Sequence, residues 1–104
     1  MKAMYRQGDV LFVKIGRAPA GERRMRANGH ILEGEATGHV HRVCEADLAT
    51  AEVYELGDRL FLSASGGGVS IVHDEHAPLA LPAGNYEVLR QREYSPEEIR
   101  NVAD

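Results

Sequence analysis

The stretch that most restricts the fold is Ala51-Glu52-Val53-Tyr54-Glu55-Leu56, followed by Gly57-Asp58 and then Arg59-Leu60-Phe61-Leu62-Ser63. Its first half alternates with period two. Ala51, Val53 and Glu55 fall on one face and Glu52, Tyr54 and Leu56 on the other, as they do on a strand. Gly57-Asp58 is a two-residue hairpin signal, because glycine supplies the positive φ that such turns require. The second half returns as the partner strand.

The same grammar runs along the chain. Asp9–Ile15 is β-branched and aromatic, bounded by Gly8 and Gly16, and reads as a buried strand. Gly16–Gly29, with Pro19 and Gly21, reads as a loop. His30–Glu33 and Val40–Val43 are short strands, and Glu45–Ala49 is a loop or bulged connection. Val69–His73 and Leu79–Leu81 are strands, separated by a turn over Asp74–Pro78. Pro82-Ala83-Gly84 turns the chain into Asn85–Tyr94, the longest strand candidate. Ser95-Pro96-Glu97-Glu98 then has the form of a capping box with proline at the first helical position, predicting a short helix over Pro96–Ala103. With 104 residues and no repeat, the chain is expected to form one domain. Short strands at glycine-marked spacing predict an all-β barrel or sandwich ending in that helix.

Several function classes drop out. No apolar run is long enough to span a bilayer, and the N-terminus lacks the apolar core of a signal peptide. The single cysteine, Cys44, excludes an internal disulfide framework, and a free thiol fits a cytoplasmic setting. Residues 1–28 hold seven basic and two acidic side chains, and the remainder five basic and fourteen acidic. This overall acidity argues against general nucleic-acid binding. The run Glu22-Arg23-Arg24-Met25-Arg26 reads as a solvated loop able to meet a phosphate or an acidic partner. No phosphate-binding glycine loop, CxxC pair or Ser-His-Asp set is visible, and Gly66-Gly67-Gly68 reads as a hairpin turn.

Four of the five histidines lie in two clusters, Thr37-Gly38-His39-Val40-His41 and His73-Asp74-Glu75-His76. On an extended segment His39 and His41 share a face and can reach one cation. His73 and His76 can supply the remaining ligands. Imidazole nitrogen suits zinc, iron, nickel or copper. His30 stands apart, as a loop residue or a partner to a ligand. Glu35, Glu45, Asp74, Glu75 and Glu87 are the candidate proton-transfer groups. Asp74 and Glu75 could instead orient the imidazoles.

Gly34-Glu35-Ala36-Thr37-Gly38-His39-Val40-His41-Arg42-Val43-Cys44-Glu45 resembles the first cupin motif, and Leu81-Pro82-Ala83-Gly84-Asn85-Tyr86 is similar to the proline-x-glycine turn of the second. The resemblance implies a cupin-like barrel in which His39, His41 and Glu45 ligate the metal. Two departures stand out. The glycine of the first motif is one residue too close to the H-x-H pair, and Glu87 occupies the place of the second-motif histidine. His73 or His76 would then replace that ligand. Gln7-Gly8-Asp9 resembles the glycine-aspartate turn before the first strand of several small barrels, including co-chaperonin-like folds, and is read as a turn without chemistry.

Three functions are consistent with this sequence. The first is a metal-dependent enzyme acting on a small-molecule substrate by hydrolase, lyase or oxygenase chemistry. The second is a non-catalytic module that senses or carries a metal or small molecule. The third is a structural or assembly protein, such as a homodimer, whose histidines sit at an interface or respond to pH.

Overall fold

The computed structural model describes residues 3–33 and 39–91. Gly34–Gly38 and the expected C-terminal helix Pro96–Ala103 lie outside these residues. So do Glu35 and the last residues of the expected Asn85–Tyr94 strand.

The described chain is all-β. Its strands are β1 (Met4–Gln7), β2 (Val10–Ile15), β3 (Arg24–Met25), β4 (His30–Glu33), β5 (Val40–Val43), β6 (Ala51–Leu56), β7 (Arg59–Ala64), β8 (Val69–His73), β9 (His76–Leu81) and β10 (Gly84–Arg90). They form two antiparallel sheets, one of order β1-β2-β10-β7-β6-β3 and one of order β4-β5-β8-β9. The described strands therefore make two sheets and not one closed barrel.

The β6–β7 hairpin forms as its pattern requires. Leu56 pairs with Arg59 across Gly57, which sits at φ 60°. Elsewhere the boundaries shift. Gly16–Gly29 is not all loop: Arg24–Met25 pairs with Tyr54 and Glu55, and Ala27–Gly29 makes a 3-10 turn. Glu45–Asp47 is also a 3-10 turn. The expected Asp74–Pro78 turn is shorter, because His76 already pairs with His73. That leaves only Asp74-Glu75 between β8 and β9. Strand β1 has no counterpart in the sequence reading. Its four residues contain Arg6 and Gln7 and lack an apolar run, and it is held by backbone pairing to β2.

The core lies between the sheets. The larger sheet contributes Val10, Phe12, Leu62, Tyr86 and Val88, and the smaller one Ile31, Val43, Ile71 and Leu81. A smaller cluster of Tyr54, Leu56 and Phe61 covers the outer face of the larger sheet. Arg23 stacks over the Tyr54 ring there at 4.2 Å. Where β1 passes β9, the interior stops being hydrocarbon. Buried Gln7 and His41 take its place.

Candidate metal centre

The two histidine clusters meet at this seam. His39 precedes β5, His41 lies within it, His73 ends β8 and His76 opens β9. Pairing of β5 with β8, and of β8 with β9, carries them together. Ring centroids are 4.3 Å apart for His41 and His73, 4.6 Å for His73 and His76, and 5.8 Å for His39 and His73. His41 and His76 stack at 6.0 Å. The cluster is graded in depth: His41 is fully buried, His39 and His73 are half-buried, and His76 is exposed.

The deep end is organised by Gln7. Its amide nitrogen donates to the carbonyls of Ile71 and Ala77, each at 2.9 Å. Both donations fix the amide orientation, so its oxygen faces Nδ1 of His41 at 2.9 Å. An amide oxygen only accepts, so the neutral His41 ring carries its proton on Nδ1. Nε2 is left as a bare lone pair, buried and without a hydrogen-bond partner. The nearest carboxylate, Asp9 Oδ1, is 3.7 Å away. Burial and the neighbouring His73 ring push the His41 imidazole down from 6.5 to about 4, against the opposite pull of Asp9.

Asp9 is itself held in place. Arg90 Nη1 donates to its Oδ2 at 2.9 Å, while the backbone N–H of Gln91 donates to its carbonyl at 2.7 Å. Between Gln7 and Asp9, Gly8 turns at φ 60° directly against His76. A Cβ there would lie 2.6 Å from Nε2 of that ring. The turn read as lacking chemistry therefore lines one wall of the cluster. Gln7, Asp9 and Arg90 are the residues missed from sequence, since nothing in a Gln-Gly-Asp turn announces a contact 34 residues away.

At the solvent side, His39 faces two carboxylates. Its Nδ1 is 3.3 Å from Glu75 and its Nε2 is 3.9 Å from Asp74. Nδ1 of His73 accepts the backbone N–H of Glu75 at 3.0 Å, so the neutral ring carries its proton on Nε2, which is buried and unpartnered. That hydrogen bond occupies the lone pair His73 would offer to a cation. Among the described residues, no group of three His, Cys, Asp or Glu side chains is placed to hold a metal ion.

The other candidate groups lie elsewhere. Glu45 is exposed in its 3-10 turn, in a groove with Asn28 and Arg42 on the outer side of β5. The chain leaves β5 at Cys44 and carries Glu45 away from His41, so it does not join the histidines as the first-motif resemblance implied. Glu87 accepts two hydrogen bonds from Arg59, at 2.9 and 3.0 Å, on the larger sheet. Cys44 is a free, half-buried thiol.

The family described as "Domain of unknown function (DUF8820)" matches residues 6–91. The chain belongs to the DUF8820 family. The DUF8820 span runs from Arg6 to Gln91 and so contains Gln7, Asp9, all four clustered histidines and Arg90. No curated protein and no solved structure matches the chain. No described helix is long and apolar enough to cross a membrane.

Proposed function

We propose that this protein binds a divalent transition-metal ion at the seam, with His39, His41, His73 and His76 as the ligand set, and acts there on a small molecule. The observation that carries the reading is the buried Nε2 of His41. A lone pair shut off from water, on a ring whose other nitrogen is held by an amide oxygen, is the arrangement of a metal-ligating histidine. Imidazole donors with nearby carboxylates suit zinc, nickel, iron or copper. The cupin-like assignment rests on the H-x-H segment, the Pro82-Ala83-Gly84 turn and the two-sheet β fold. In that comparison His73 and His76 stand in for the second-motif histidine.

Such an ion, with an open position, supplies Lewis acidity and lowers the pKa of bound water. The chain's own groups divide the remaining work. Gln7 holds the His41 tautomer. Arg90 holds Asp9 beside Nε2, where its carboxylate can accept or return a proton. Asp74 and Glu75 draw His39 toward the exposed rim.

Non-catalytic metal sensing is the second reading, and one contact favours it. Ligation through Nδ1 of His73 requires the Glu75 N–H bond to open, which couples occupancy to the β8–β9 turn.

Elemental analysis of protein prepared without chelator or affinity tag tests the proposal. Wild type should carry stoichiometric transition metal, and His41→Ala should carry none. Metal lost in His39→Ala but kept in His76→Ala would divide the cluster into separate sites. Wild-type protein free of transition metal would sink the reading.

A further inference from the structure

A second polar centre lies on the other side of β5. His41 points inward from this strand and Arg42 outward. Arg42 pairs across β4 with His30, so the two side chains share the outer face. They line a groove of about 590 Å³ together with Val40, Arg26, Ala27 and Glu55. None of the four clustered histidines lines it.

Three features of the groove point to an anion. First, two polar atoms along it, Nε2 of His30 and Nε of Arg26, are closed off from solvent and make no hydrogen bond. Nε of Arg26 lies 3.2 Å from Glu55, an ion pair that leaves the directed bond unmade. Buried polar groups in native proteins are ordinarily satisfied, so these two orphaned atoms beside one groove are groups that a ligand there can satisfy once the side chains turn toward it. Second, the Arg42 side chain is exposed and makes no hydrogen bond or ion pair among the described residues. Third, the charge does not balance. The Glu55 carboxylate is already shared by Arg24 at 2.9 Å and by Arg26, and Glu45, which lines the adjoining groove with Arg42, makes no ion pair with it, so the Arg42 charge is left over.

We propose that this groove binds small organic monocarboxylates. The planar guanidinium of Arg42 matches a carboxylate in a two-point contact, and the His30 ring, turned toward the groove, adds a donor. Val40 and Ala27 receive the apolar body of the ligand. The apolar wall sets the selectivity: inorganic phosphate has no apolar body to place against Val40 and Ala27.

NMR titration of the full chain at constant ionic strength tests this, with benzoate as the probe and benzyl alcohol and inorganic phosphate as comparators. The protein is kept free of metal, so the outcome is independent of the histidine centre. Benzoate should give saturable shifts at Val40, Arg42 and His30. Arg42→Gln, an exposed change, should weaken binding about tenfold or more, with Arg42→Lys between the two. His30→Phe should weaken it severalfold. No saturable shift with benzoate, unchanged affinity in Arg42→Gln, or equal affinity for benzyl alcohol or phosphate would each overturn the proposal.

Discussion

Phe12 and His41 are buried to the same degree, each with 0% of its surface exposed, yet they stand on opposite sides of the energetic account. Phe12 belongs to the hydrocarbon interior between the sheets, where burial itself stabilises. His41 sits at the β1–β9 seam, where burial removes an imidazole from water and is offset by the Gln7 hydrogen bond and the nearby Asp9 carboxylate. One end of the molecule is therefore held by apolar packing. The other is an amide-braced cluster whose stability is conditional on protonation.

Removing hydrocarbon from the first region should have the largest effect. Phe12→Ala leaves a large void among fully buried side chains, and about 3–5 kcal/mol should be lost in denaturant unfolding. Any variant that remains folded should keep its metal stoichiometry. A loss under about 1 kcal/mol would break the contrast.

The second region should show itself in pH dependence. The His41 pKa of the folded protein lies near 4, below the unfolded value of 6.5. Between these limits the unfolded chain binds the extra proton, so stability rises with pH. Metal-free protein should thus lose about 3 kcal/mol, to order of magnitude, as pH falls from 6.5 to 4. His41→Gln should lack this component. Identical pH profiles for the two proteins would contradict the placement of His41.

Gln7 joins the two regions. Gln7→Ala strips partners from His41 Nδ1 and from the carbonyls of Ile71 and Ala77. It should cost about 1–3 kcal/mol by chemical denaturation. Metal affinity should fall about 10–100-fold, because the tautomer is no longer set. Stability loss with unchanged affinity would make Gln7 a packing residue only. The smallest effect belongs to the exposed Arg59–Glu87 pair, remote from both regions. Its bidentate hydrogen bonds raise the Arg59 pKa, yet Arg59→Ala should change stability by less than about 1 kcal/mol.

The strands and the β6–β7 hairpin were readable because period-two alternation and Gly57-Asp58 are local signals. The two short strands β1 and β3 were not, since four residues and two residues carry no pattern of their own. Sheet closure was equally hidden, because it depends on which strands pair at a distance: β2 lies between β1 and β10, across most of the chain. The histidines stood out as two compact clusters, and strand pairing alone brings them together. Their surroundings did not stand out. Asp9 and Arg90 meet over a separation of 81 residues, and Glu45, promising by spacing, is turned outward by a single 3-10 turn.

Gln7 holds the proton of His41 on Nδ1 and leaves Nε2 bare. Long-range ¹H–¹⁵N NMR of the imidazoles, before and after one equivalent of zinc, measures this directly. Metal-free protein at neutral pH should show His41 protonated at Nδ1. Zinc should then shift the Nε2 resonance and leave the Nδ1 proton in place. A His41 ring protonated at Nε2, or an Nε2 resonance that zinc does not move, would contradict the account.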